Sequence, residues 1–425
     1  MDIVISQRTS IRSQSLTLDV NINPPATQIQ SSASPFASFL TGEKIEGTVS
    51  IISQRDFGFD RLHISFVGEE STTIPSSNPD KAKHQFLELI QPIHDSALPS
   101  PKVFIAKRQY EFPFSFEVPD YLPSSSCRHS SDPLLKAAHL HLPPSCGDAS
   151  IAGFGGKLRD DFAPAACKVV YSIYAKLERF SKTFETQETI ADKRLKVRIK
   201  PAVGDVPLPD LQSMNNSSSG YSLHHELTIH GGNSKSKSPV TGRLAMTLEH
   251  PGCFYHPLRD PIRLISKAIR IFLVYTPSAS DPITPPPELK SLKAQITATT
   301  IYTTKLDNAI HPLPKKRDFF NRPANFRDAE LPLSIPSTPR LGWTQDQTGS
   351  YTTTLLVPVT LPKDKSFIPT FYSCLISRVY SLCFQLSVQG ASEPFRLKAP
   401  MQIAAERDPA ALPSYNATLG IIDME

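Results

Sequence analysis

Between Thr41 and Glu70 the sequence TGEKIEGTVSIISQRDFGFDRLHISFVGEE alternates with a period of two, and this pattern restricts the fold more than any other part of the chain. Ile45, Gly47, Val49 and Ile51 fall on one face, with Glu46, Thr48 and Ser50 on the other. Leu62, Ile64 and Phe66 then alternate with His63 and Ser65 until Gly68 ends the apolar run beside two acids. Successive side chains of a strand point to opposite sides of its sheet, so period two marks a strand with one buried and one wet face. The stretch is expected to form two strands of one half-buried sheet, joined by a turn over Gln54 to Asp60.

Comparable runs recur along the chain. Leu16, Leu18, Val20 and Ile22 alternate, as do Tyr110, Phe112, Phe114, Phe116 and Val118, where Pro113 predicts an edge strand or a bulge. Phe86 to Ile93 reads as a loop or short strand. Cys167 to Leu177 and Lys193 to Lys200 complete the first half, the latter with Leu195, Val197 and Ile199 inward. In the second half, Arg243 to Glu249, Ile269 to Tyr275, Ser291 to Thr303, Tyr351 to Val359 and Arg378 to Val388 keep the same rhythm, with no run of helical period. Thr276 to Leu289 and the Pro-rich, charged Leu306 to Gly349 read as interruptions.

A chain of 425 residues holds two domains of ordinary size. The stretch 201–242, rich in Pro, Ser, Asn and Gly, is the expected boundary, although Tyr221 to His230 within it also reads as a strand. This gives a first domain over 1–200, a linker over 201–242, a second domain over 243–405 and a tail over 406–425. Forty prolines against eighteen glycines favour edge strands and stiff loops over flexible linkers.

The formal charge of +5 is too small over this length to make nucleic acid a partner. The six cysteines have no framework spacing and read as thiols of a reducing compartment. Arg8 and Arg12 interrupt any signal-peptide core, and no apolar cluster approaches the ~20 residues of a membrane helix. A cytoplasmic chain is expected.

Three segments, in order, resemble a known family. The first is the alternating strand followed by Val67, Gly68, Glu69 and Glu70; the second is FPFSFEVPDYLPSSSC with HLHLPPSCGD; the third is SFIPTFYSCLISRVYSLCFQLSV with LKAPMQI. Together they resemble the N- and C-terminal domains of arrestin-like proteins, in particular the fungal alpha-arrestin type. The resemblance implies an all-β fold of two consecutive antiparallel, immunoglobulin-like β-sandwiches. It also implies a non-catalytic trafficking adaptor that binds cytoplasmic tails of membrane proteins and is recruited to plasma membrane or endosomes.

Catalytic signatures are lacking. A phosphate-binding loop would need glycine five positions before its Gly-Lys pair and a hydroxyl after it, but Gly156 and Lys157 have Ile151 and Leu158 in those places. No G-x-S-x-G elbow occurs. Neither an enzyme activity nor a cofactor is expected. Two clusters carry metal-ligand residue types: Cys127, His129, His139, His141 and Cys146, and, on one strand face, His224, Glu226 and His230. The competing readings are a short strand with flanking histidines and an ordinary polar face.

Arg194, Lys196, Arg198 and Lys200 form a basic ribbon that either is an ordinary solvated strand face or docks anions: a phosphorylated or acidic cargo tail, or anionic lipid. Near the C-terminus, Leu412, Pro413, Ser414 and Tyr415 approximate the P-P-x-Y ligand of WW domains, with Leu412 in place of the first proline. In an arrestin-like protein such a motif implies recruitment of a HECT-type ubiquitin ligase, leading to cargo ubiquitination and endocytosis. The alternative is a sorting or ambient-pH signalling scaffold of the same fold without a ligase.

Overall fold

The computed structural model describes residues 16–23, 37–74, 79–128, 133–151, 159–181, 186–201, 221–231, 239–256, 264–278, 284–306, 324–335 and 341–405. The first unit contains β1 (Leu16–Ile22), β2 (Ser38–Leu40), β3 (Lys44–Ser53), β4 (Phe57–Gly58), β5 (Arg61–Ile74), β6 (Asp80–Ile90), β7 (Val103–Phe104), β8 (Gln109–Glu117), a short helix α1 (Pro133–His139), β9 (Cys167–Ser181) and β10 (Thr186–Lys200). One sheet has the order β1-β3-β8 and the other β2-β10-β9-β5-β6. Every pairing in them is antiparallel except β2 with β10.

Alternation explains why the two sheets face each other. Ile45, Val49 and Ile51 of β3, and Phe112, Phe114 and Phe116 of β8, are buried against Ile64 and Phe66 of β5 and Tyr171 and Ile173 of β9. The rings of Phe66 and Phe116 approach to 6.2 Å across the gap. Each such side chain contributes roughly 1.5–3 kcal/mol by leaving water. At Gly47 a Cβ would sit 2.1 Å from the Asn21 carbonyl oxygen, so the close pairing of β1 and β3 requires glycine there.

One expectation is corrected. β3 and β5 are not neighbours in one sheet: β3 pairs with β1 and β8, and β5 with β6 and β9. Their apolar faces meet across the core instead of side by side. The connection is long enough to change sheets, and on the way β4 pairs with β7. Alternation identifies which face is buried but not which strand covers it. Pro113 does lie on an edge, since β8 closes its sheet, and its side chain is exposed. Of the stretch Phe86 to Ile93, read as a loop or short strand, Phe86 to Ile90 ends the eleven-residue β6, and residues 91–93 lie outside any strand.

The second unit contains β11 (His224–His230), β12 (Val240–Leu248), β13 (Cys253–His256), β14 (Ser266–Pro277), β15 (Leu289–Tyr302), β16 (Asn325–Leu333), β17 (Thr344–Gln345), β18 (Tyr351–Thr360), β19 (Phe371–Tyr372), β20 (Ile376–Val388) and β21 (Phe395–Ala405). Its sheets run β11-β12-β14-β18-β17 and β13-β21-β20-β15-β16, with β19 also on β20. Leu244, Ile271, Leu273 and Val357 of the first meet Ile296, Leu382, Phe384 and Leu397 of the second. β11 lies inside the stretch 201–242 but pairs with β12, so that part belongs to the second sandwich. β16 forms within the Pro-rich interruption, at a sheet edge where Pro332 is tolerated. In both units a short strand, β2 or β13, adds in parallel to the last long strand.

The protein is therefore an all-β chain of two sandwiches. No helix among the described residues is long and apolar enough to cross a membrane.

Candidate functional site at the seam between the sandwiches

The inward positions of β5 change character along the strand. Leu62, Ile64, Phe66 and Gly68 are followed, at the same spacing, by Glu70 and Thr72, and all six are buried. The apolar four face their own core, whereas the polar two meet the second unit. Glu70 Oε1 accepts a hydrogen bond from the Leu375 amide at 3.2 Å and lies 2.9 Å from His84 Nδ1 on β6. Thr72 Oγ1 donates to the Thr303 carbonyl at 2.7 Å, and the Thr303 amide donates to the Leu375 carbonyl at 3.1 Å. Glu70 Oε2 is buried with no hydrogen-bond partner.

The units also exchange apolar side chains. Ile368, Phe371, Leu375 and Ile376, from the second half of the chain, pack into the first core. In return Phe162 packs into the second, its ring 5.2 Å from that of Phe367. Phe162 has a φ of 61°, a left-handed conformation uncommon outside glycine. The two preceding aspartates hold this turn: Asp160 Oδ1 accepts from the Phe162 amide at 2.9 Å and Asp161 Oδ1 from the Ala163 amide at 3.0 Å. Asp160 also pairs with Lys365 of the other unit at 3.2 Å.

Arg378 of β20 is 1% exposed and lies at the centre of this region. Its Nε donates to Thr300 Oγ1 at 3.1 Å and its Nη1 to the Asp161 carbonyl at 2.7 Å. Burial opposes its charge, but Tyr380, Cys146 and Asp161 together carry its pKa above the ordinary guanidinium value. Asp161 Oδ2 accepts from the Gly147 amide at 2.8 Å.

The four basic residues of β10 do not form one surface. Arg194 is exposed, 3.1 Å from Glu69 and stacked 4.2 Å over the Tyr174 ring. Lys196 contacts Asp148 at 2.5 Å; burial raises the Asp148 pKa, but the Lys196 and Ser150 hydrogen bonds outweigh it and hold the carboxyl low. Arg198 is buried, and burial pushes its pKa down to about 9 against the pull of Asp161. Burial and the charge of Arg198 push Lys200 down to about 7, with Glu43 opposing. His256 of β13 feels the same pair: burial and then Lys200 depress it to about 4, with Arg198 adding to this and a backbone bond with Phe367 opposing it. The strand face that turns away from the first core thus turns, at its end, toward the second unit.

Of the proposed metal ligands, Cys127 and His139 come together, with Sγ 3.6 Å from Nδ1 and both side chains buried. The ligand atoms of Cys127, His139 and Cys374 all lie within 4.8 Å of one another, as do those of Glu70, His84 and Cys374. His141 is instead half-buried with its ring 4.8 Å from Tyr121, and Cys146 forms a backbone bridge with Val169 on β9. His129, Leu412, Pro413 and Tyr415 lie outside the described residues. His224 contacts Thr247 at 3.0 Å, and Glu226 pairs with Arg243 at 3.8 Å. The sequence reading missed Glu70, His84 and Cys374. The paired acids after Gly68 signal the first of these, since the strand pattern continues through them; nothing local marks Cys374. None of the six cysteines is in a disulfide.

No protein-family model matches the chain, and no curated protein is significantly similar to it.

Proposed function

We propose that this protein is a non-catalytic adaptor of the arrestin type, which binds cytoplasmic tails of membrane proteins and recruits a WW-domain HECT ubiquitin ligase through Leu412, Pro413 and Tyr415. One observation carries the reading: the three segments that resemble arrestin-like proteins meet at one place. Glu70 of the V-G-E-E run, the Leu142 to Asp148 segment and the Ser366 to Tyr380 segment all border the seam. Glu70 bonds the Leu375 amide. Gly147 bonds Asp161, whose carbonyl receives Arg378. Segments far apart in sequence that serve one junction support a common architecture better than any one of them does.

In this reading the seam fixes the two sandwiches as a platform, the exposed Arg194 contributes positive charge to an anionic tail or lipid headgroup, and the C-terminal segment carries the ligase. The test is a pull-down of the full chain with isolated WW domains of a HECT ligase, comparing wild type with Tyr415→Ala. Binding that is lost in the variant supports ligase recruitment. Equal binding, or none in either, removes the ligase and leaves the scaffold alternative.

A further inference from the structure

Cys127, His139 and Cys374 are respectively 0%, 1% and 2% exposed, and they arrive from three separately anchored pieces of backbone. Cys127 follows a short helical turn whose Ser126 Oγ donates to the Phe86 carbonyl at 2.6 Å. His139 ends α1, and the next residue, Leu140, accepts from the Leu122 amide at 2.7 Å. Cys374 sits between Ser373, whose amide bonds the Ile376 carbonyl at 2.9 Å, and Leu375, whose amide bonds Glu70. The three side chains are therefore held near one another whatever lies between them.

Their spacing suits one class of ligand. A tetrahedral zinc ion with bonds of about 2.3 Å to sulfur and about 2.0 Å to nitrogen separates a thiolate from an imidazole nitrogen by about 3.5 Å. The Cys127 Sγ to His139 Nδ1 distance is 3.6 Å. Two sulfurs and an imidazole select zinc over calcium or magnesium, which take oxygen. Beside the site, Glu70 groups with His84 and Cys374 but not with Cys127 and His139, and its Oε2 is buried with no hydrogen-bond partner. Two thiolates would neutralise a divalent ion in this dry setting.

We propose that Cys127, His139 and Cys374 bind one zinc ion, and that the ion clamps the second sandwich to the first. Binding releases the two thiol protons, with no change of oxidation state. The clamp is independent of the adaptor reading, because neither cargo nor WW binding enters it.

The experiment measures metal in the full chain, purified under reducing conditions from zinc-containing medium, by plasma mass spectrometry. One zinc per chain is expected, retained in Cys383→Ser and lost in Cys374→Ser. Because Cys374→Ser risks misfolding, Co²⁺ is also titrated into chelator-treated wild type whose β-sheet circular dichroism is intact. A thiolate-to-cobalt charge-transfer band that saturates at one equivalent supports the site. Absence of both zinc and that band in wild type overturns the proposal, as do zinc retained by Cys374→Ser and a Cys127–Cys374 disulfide found by peptide mapping in place of the metal.

Discussion

The interior of each sandwich and the seam between them are both buried, yet they are built from opposite materials. The first sandwich closes on Val49, Ile64, Phe66, Phe116 and Ile173, side chains without hydrogen-bonding groups that repeat every second residue. The seam closes on Glu70, Thr72, Asp161, Thr300 and Arg378, each hydrogen-bonded through at least one atom to a group far away in sequence, although Glu70 Oε2 is left without a partner. An apolar interior tolerates imprecise placement, because dispersion and water release are not directional. A buried polar seam does not, because each donor or acceptor that loses its partner costs about 1–3 kcal/mol. Stability therefore rests on the interiors and the fixed relation of the two units on the seam.

That contrast can be broken in several ways. The largest effect is expected from Phe66→Ala, which opens a cavity in the first interior and should cost about 3–5 kcal/mol in urea unfolding. Arg378→Leu leaves Thr300 Oγ1 and the Asp161 carbonyl without their donor, and is expected to cost about 3 kcal/mol, with most of the disturbance seen by NMR on both sides of the seam. A hydrophobic replacement that proved neutral would show the seam to be held by apolar exchange alone.

Acid should act on the seam at a defined place. The folded His256 titrates near 4, against the ordinary 6.5. Between these values the unfolded chain binds the proton and the folded one does not, so stability from this group is intact above about pH 6.5 and is lost as pH falls toward 4. The loss is roughly 3 kcal/mol. His256→Gln should flatten that window in denaturation curves measured from pH 7 to 4. The smallest effect belongs to Thr72→Val, which removes one buried hydrogen bond to Thr303 and should cost about 1 kcal/mol by the same urea measurement.

The same contrast explains what the sequence discloses. Period two located β1, β3, β8, β9 and the inner face of β10, because each covers a core with one wet side. It misassigned the partners of β3 and β5, since alternation is the same whether two faces meet edge to edge or front to front. It read Gly68 as the end of a run because Glu70 and Thr72 are polar, although the strand continues to Ile74. It placed Arg198 and Lys200 in water with Arg194, because a strand's outer face is exposed only until another domain covers it. Long-range pairing, as between Cys127 and Cys374 or Asp161 and Arg378, has no local signature at all.

The central claim is that the seam makes two sandwiches into one cooperative body, and unfolding measured in each unit tests it most directly. Trp343, the only tryptophan, packs against the second core and reports on that unit by fluorescence. Cys167 is buried in β9 of the first, and pulsed thiol labelling with mass mapping reports its exposure. Coincident urea transitions for the two probes, shifted together by Phe66→Ala, are the predicted result. Separate transitions, with Trp343 indifferent to Phe66→Ala, would contradict it.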